Sequence, residues 1–97
     1  MITEYMDFCV ICGKPAEEHH VFKGRKHRTL CDQDELTLPL CYEHHRTGKI
    51  SAHLCKEMNV LCEIIGQLAY ERDKCAEGYS VDAARESFRI RYGKSYL

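Results

Sequence analysis

The chain has 97 residues and a formal net charge of −1, with 14 lysine and arginine residues against 15 acidic ones. This length suits one domain with a small core, which commonly needs a metal, disulfides or oligomerisation for stability. The balanced charge excludes a globally basic nucleic-acid binder, and no stretch approaches the ~20 apolar residues of a membrane span. We expect no signal peptide, because residues 1–7 are charged and lack an apolar run.

Cysteine spacing is the strongest feature at the start of the chain. Cys9-Val-Ile-Cys12 is an x2-spaced pair followed by glycine and proline, which predicts a tight metal-binding turn. Cys41 and His44 repeat the spacing, and the four groups together suit a tetrahedral zinc site. Because the cysteine count is odd and histidines lie nearby, we interpret them as metal ligands in a reducing cytoplasm rather than a disulfide framework. The other four cysteines are expected to be core or incidental thiols.

A β-hairpin is predicted next. Residues 18–22 end in apolar Val-Phe and are typical of a strand, and residues 36–40 alternate in the manner of a partner strand. Pro39 is expected at an edge or a strand end, because it cannot donate a ladder hydrogen bond. The polar, charged residues 24–34 between the strands predict a loop.

Helices are predicted after Cys41. A short helix is interrupted near residues 47–48, and Ser51 is the expected N-cap of a longer helix that reaches about Lys74. Cys62 and Ala69 widen its apolar face. The residues expected to pack that face into the core recur at steps of four and three: Leu54, Met58, Leu61, Ile65 and Leu68.

A last helix is predicted between a Ser80 cap and Gly93. Its apolar face carries Val81, Ala84 and Phe88, and a second face carries Arg85 and Arg89, four residues apart. The predicted fold class is therefore small, metal-stapled α+β: metal turn, hairpin, short helix, long helix, final helix.

Histidines inside this frame suggest a second metal site. His19 and His20 follow one another on the first strand, so their rings point to opposite sides. His45 is placed to project from the short helix toward that strand. An ion between strand and helix could polarise a phosphate, and histidine suits a general base near neutral pH. Phosphate contacts are expected from the basic residues that follow: Lys23, Arg25, Lys26 and Arg28.

The segments C-V-I-C, E-E-H-H-V-F-K-G and L-C-Y-E-H-H-R, within residues 9–53, resemble the HNH (His-Me finger) endonucleases. The closest likeness is to small phage and prophage members with flanking zinc-binding pairs. The resemblance implies a single nuclease-like domain over residues 1–97, with a ββα-metal core at 9–57 and a helical extension at 58–97. It also implies nicking or cleavage of DNA in the cytoplasm of a bacterial host or phage-infected cell.

Family roles carry over onto matching positions. The resemblance makes His20 the general base, and His19 and His45 ligands of a catalytic divalent ion (Mg²⁺, Mn²⁺, Ni²⁺ or Zn²⁺) beside the structural Zn²⁺. His53 is a further ligand only if the chain folds back past the break near residue 48, and this stays open. The expected DNA-backbone contacts are Lys23, Arg25, Lys26 and Arg28, with Arg85 and Arg89 as additional candidates.

The central asparagine of the family has no counterpart, because the one asparagine, Asn59, lies on the predicted long helix. Its role is expected to fall to a residue between positions 23 and 33, such as His27. Two other interpretations remain: a non-catalytic, zinc-stapled module that binds nucleic acid or protein, and a thiol redox protein, for which a βαβ unit is missing. Membrane partners are not expected, and the long helix could bury its stripe within the chain or across a dimer.

Overall fold

The computed structural model describes all 97 residues and shows a small α+β fold. Its elements, in chain order, are β1 (Glu17–His20), α1 (Arg25–Asp34), β2 (Thr37–Leu40), a π-helical turn (Glu43–Thr47), α2 (Lys56–Ala76) and α3 (Val81–Tyr92). None of these helices combines the length and the apolarity that a membrane crossing requires. The predicted small α+β class is confirmed, and so is the order of the two strands and the two late helices.

The two strands form an antiparallel pair in which Glu17 faces Leu40 and His20 faces Thr37. Each is shorter than predicted, because the chain turns into the interior after His20. Val21 and Phe22 are fully buried there. The charged and imidazole side chains therefore lie on β1 itself, and the apolar side chains of Val21 and Phe22 follow directly after it.

The predicted loop between the strands is wrong, because residues 25–34 form α1. Arginine, lysine, leucine and glutamine favour helix, and Cys31 is fully buried against the core. The helix ends at Glu35, whose left-handed φ of 58° closes the last turn. Asp34 also fixes α1 to α3, accepting hydrogen bonds from Arg91 at 2.6 Å and from the Tyr92 hydroxyl at 2.6 Å. These hydrogen bonds join residues that are 57 and 58 positions apart, so no local sequence pattern predicts them.

The apolar stripe predicted to pack α2 into the core is also misplaced. Of its five residues only Met58 packs against the core, and Leu54, Leu61, Ile65 and Leu68 are exposed. The buried face of α2 is instead the adjacent one. A Cβ on its Gly66 would come within 2.5 Å of Val21 Cγ2, so this glycine permits the close approach of the segment after β1.

Buried polar groups on the same face are paired. Gln67 donates to Glu71 at 2.8 Å and accepts from the backbone N–H of Tyr96 at 2.6 Å, while Arg85 pairs with Glu71 at 3.3 Å. Satisfied polar groups of this kind tolerate burial. Small residues and this polar network thus determine which face of α2 packs against the core. Cys62 and Ala69 lie on that face.

Of the two predicted N-caps, the one for α3 is confirmed and the one for α2 is wrong. Ser51 does not cap α2, which begins at Lys56; its Oγ accepts from Leu54 N–H at 3.1 Å within a preceding turn. Ser80 does cap α3, accepting from Ala83 N–H at 3.1 Å, and Gly93 ends that helix with φ 92°. Of the predicted α3 face, Ala84 and Phe88 are buried as predicted, and Val81 is exposed, contrary to prediction.

Candidate functional site

The two x2-spaced pairs meet at the base of the hairpin. Cys9 and Cys12 lie in a turn closed by a hydrogen bond from Cys9 N–H to Lys14 O at 2.7 Å. A bond from Val10 N–H to Pro39 O at 3.0 Å holds this turn against β2, whose end carries Cys41. The predicted set is brought together, because the thiol and imidazole ligand atoms of Cys9, Cys12, Cys41 and His44 all lie within 4.8 Å of one another.

The spacing of these atoms fits one tetrahedral ion. Two thiolates at ~2.3 Å from a zinc ion stand about 3.8 Å apart. Cys12 Sγ lies 3.6 Å from Cys41 Sγ, and His44 Nδ1 lies 3.6 Å from Cys9 Sγ and 3.2 Å from Cys41 Sγ. A disulfide would need sulfur atoms at ~2.05 Å, and all seven cysteines are free. This Cys3His cluster could therefore hold a structural metal such as zinc.

Thiol chemistry separates this cluster from the remaining cysteines. Burial raises the pKa of the Cys9 thiol, but N–H donors of Cys41, Cys12 and Ile11 outweigh it and lower the pKa to about 6. Burial instead raises the pKa of Cys31 to about 11, and that of Cys62 likewise to about 11. Within the cluster the Lys14 N–H lowers the pKa of Cys12, but desolvation and the neighbouring Cys41 and Cys9 thiols outweigh it and raise that pKa. Since the thiolate is the metal-binding form, Cys9 is the cysteine whose surroundings favour it, in contrast to the buried Cys31 and Cys62.

A second cluster joins β1 to the chain after the π-helical turn. The ligand nitrogens of His19, His45 and His53 lie within 4.8 Å of one another. His53 reaches this position because the chain folds back, with His53 N–H donating to His45 O at 3.0 Å. His19 is buried, and its Nε2 has no hydrogen-bond partner. An orphaned buried nitrogen beside two further imidazoles is a donor set that fits a divalent metal ion.

Two imidazoles of this cluster, His19 and His53, have lowered pKa values. Burial, together with the nearby His45 and His53, lowers the pKa of His19 to about 3. Burial and then His45 lower the pKa of His53. A neutral imidazole keeps a lone pair for a metal, so the environment favours the ligand form.

Glu17 supports the cluster from β1. Its carboxylate accepts from His45 Nδ1 at 2.5 Å and from Arg46 Nε at 2.9 Å, and hydrogen bonds from Arg46 and then His45 lower its pKa. With its proton on Nδ1, His45 keeps Nε2 free for a metal, as carboxylate-oriented histidines commonly do. Glu17 was not predicted from the sequence, although its position two residues before His19 places both on one strand face.

His20 lies on the opposite face of β1 and meets α1. Its Nε2 is 2.7 Å from Asp32 Oδ1 and 3.3 Å from Glu18 Oε1. Asp32 was not identified from sequence, although it falls within residues 23–33. The suggested candidate, His27, does not contact His20: its Nδ1 lies 3.1 Å from Lys23 O and its ring lies 5.6 Å from that of Tyr92.

Both histidine groups line one open cleft of about 720 Å³. The predicted basic residues Lys23, Arg25 and Arg28 lie along it, and so does Arg46, which was not predicted. The other predicted basic residues do not line this cleft. Lys26 lies on a groove between α1 and α3, Arg85 pairs with Glu71, and Arg89 pairs with Glu86.

Comparisons with protein-family models, with curated proteins and with solved structures each found no match to this chain.

Proposed function

We propose that the chain is a metal-dependent endonuclease of the HNH type that hydrolyses phosphodiester bonds in DNA. The observation that carries the proposal is the shared cleft, in which the His20–Asp32 pair lies beside the His19, His45 and His53 cluster. In this proposal the β1–β2 hairpin and the π-helical turn take the place of the ββα-metal unit that the resemblance implies.

His20 takes the role of general base. Asp32 accepts the Nε2–H hydrogen bond, which leaves the lone pair of the neutral ring on Nδ1. His20 removes a proton from a water molecule as the water oxygen bonds to phosphorus and the bond from phosphorus to the 3′-oxygen breaks. The departing oxygen is protonated from solvent, and the protonated His20 later releases its proton. The products are a 5′-phosphate and a 3′-hydroxyl end.

The three-histidine cluster is the proposed site of the catalytic ion. When bound, a divalent ion would supply Lewis-acid stabilisation of the charge that develops on the phosphate and the leaving oxygen. The cluster supplies imidazole nitrogen ligands, and Glu17 fixes the ring of His45. Mg²⁺ prefers oxygen ligands, so this all-nitrogen set favours Mn²⁺, Ni²⁺ or Zn²⁺ over Mg²⁺.

Substrate contacts come from the rim of the cleft. Positive charge beside the two histidine groups comes from Lys23, Arg25 and Arg28. Arg46 also lines the cleft, although its Nε pairs with Glu17. Contacts of this kind go to phosphate, so they position the backbone and read little sequence. We therefore expect cleavage with weak sequence preference and strong inhibition by salt.

Metal titration separates the enzyme from a non-catalytic zinc-stapled module. We expect two ions per chain, one tight at the Cys3His cluster and one exchangeable at the histidine cluster. Glu17→Gln should lower the affinity of the exchangeable ion by about 10–100-fold, because an orienting carboxylate is lost. His19→Ala should abolish that binding and leave the tight ion in place. Calorimetry on zinc-loaded protein measures both, with His27→Ala as the control; a single ion per wild-type chain would favour the module.

The chemical groups at the cleaved DNA ends test the proposed mechanism. Supercoiled plasmid nicked by the zinc-loaded protein with Mn²⁺ or Ni²⁺ should be resealed by a DNA ligase, which needs a 5′-phosphate next to a 3′-hydroxyl. Nicks that ligase cannot seal would show a different bond being broken and would contradict the mechanism above.

A further inference from the structure

The outer face of α2 is apolar and uncovered. Leu61, Ile65 and Leu68 keep exposed fractions of 53, 41 and 52 %. Their spacing of four and three residues puts them in one line along the helix, the spacing at which two helices pack side by side. A continuous exposed apolar stripe is typical of an interaction surface.

Charged residues stand at both ends of this stripe. Arg72 follows Leu68 by four residues and so continues the same line. Met58, which is half-buried and also packs against the core, continues it at the other end, with Glu57 beside it. Glu57 and Arg72 are both exposed. The stripe is therefore apolar in the middle, negative near the start of α2 and positive near its end.

We propose that this face of α2 binds the same face of a second copy of the chain, with the two helices antiparallel and a two-fold axis at Ile65. In that arrangement Ile65 meets its own counterpart, and Leu61 meets Leu68 of the second copy. Arg72 meets Met58 and Glu57 of the second copy. A two-fold interface repeats every contact, so both ends gain an opposite-charge pair.

The charges select the antiparallel arrangement. Two parallel helices in register would set Arg72 against Arg72 within the seam and place both Glu57 side chains at the same end, which is repulsive. The antiparallel arrangement sets each arginine against a glutamate. Because the stripe is only a few helical turns long, the interface is small and the dissociation constant is expected in the micromolar range. This proposal does not depend on the nuclease activity.

Sedimentation equilibrium of the zinc-loaded full chain tests the proposal. The mass should rise with concentration from 11.3 kDa toward twice that value. Leu61→Glu and Leu68→Glu should each remain monomeric at the highest concentration. Ile90→Glu is the matched control, since Ile90 on α3 is 76 % exposed and lies outside the stripe; it should dimerise like the wild type. A wild-type monomer throughout, or a dimer that survives Leu61→Glu, would overturn the proposal and leave the face to a different partner.

A charge exchange tests the antiparallel orientation. Arg72→Glu and Glu57→Arg should each weaken the dimer by about tenfold, a change of about 1.4 kcal/mol. The double variant should restore the dimer, because the opposite-charge pairs are rebuilt with reversed sign. Arg72 also pairs with Asp73 and donates a hydrogen bond to Met1 O in its own chain, so rescue by the second substitution, rather than loss in the first, is the decisive result. A double variant as weak as the single ones would overturn the antiparallel pairing.

Discussion

Cys12→Ser is expected to remove most of the folding stability of the chain. Cys12 is exposed, so the substitution leaves the hydrophobic core intact and acts through the loss of a metal ligand. Structural zinc contributes about 10–16 kcal/mol of binding free energy, compared with a total stability of about 5–15 kcal/mol for a small domain. We therefore expect the free energy of unfolding to fall by about 5 kcal/mol or more.

Urea unfolding followed by circular dichroism measures this loss. A strong chelator should reproduce it in the wild-type chain. Cys75→Ser is the matched control, because Cys75 is also exposed and lies outside the cluster; it should unfold like the wild type. If Cys12→Ser and the chelated wild type both kept wild-type stability, the structural-metal assignment would be wrong.

His20→Ala is expected to abolish most DNA cleavage and leave the fold unchanged. A positioned general base contributes about 10²–10⁴-fold to a rate, so the cleavage rate should fall by that factor at saturating metal and DNA. The fold should persist because His20 makes its 2.7 Å contact with Asp32 at the surface side of β1 and contributes nothing to the core. Metal content should also be unchanged, since His20 belongs to neither the Cys3His cluster nor the three-histidine cluster.

Asp32→Asn separates positioning from proton transfer. An asparagine keeps the size of the side chain, but it no longer favours the ring tautomer with its lone pair on Nδ1. Its rate should therefore fall between those of the wild type and His20→Ala, with DNA affinity unchanged. His27→Ala, a histidine of α1 that does not line the cleft, should cleave at the wild-type rate.

Sequence patterns predicted the features that depend on neighbouring residues. The x2 spacing of Cys9 with Cys12 and of Cys41 with His44 puts both pairs in reach of one ion, and the hairpin then brings the pairs together. The alternation on β1 likewise separated His19 from His20. These features depend on a few neighbouring residues and on one strand pairing, so they could be predicted from the chain alone.

Other features depend on contacts between distant residues and could not be predicted. α1 is fixed by the pairing of Asp34 with α3, and the apolar stripe of α2 faces solvent because Gly66 lets the segment after β1 approach the neighbouring face. Periodicity reveals that a helix has an apolar face, but it does not reveal which face packs. Glu17 and Asp32 were missed for the same reason: their partners, His45 and His20, are 28 and 12 residues away.

Relaxation of supercoiled plasmid by the zinc-loaded protein, beside His20→Ala, tests the proposed nuclease most directly. Mg²⁺, Mn²⁺, Ni²⁺ and Zn²⁺ are each added to both proteins. We expect nicked circles for the wild type with at least one of these ions, and their near absence for a folded, zinc-containing His20→Ala. Cleavage by His20→Ala at the wild-type rate, or no cleavage by the wild type with any ion, would contradict the proposal.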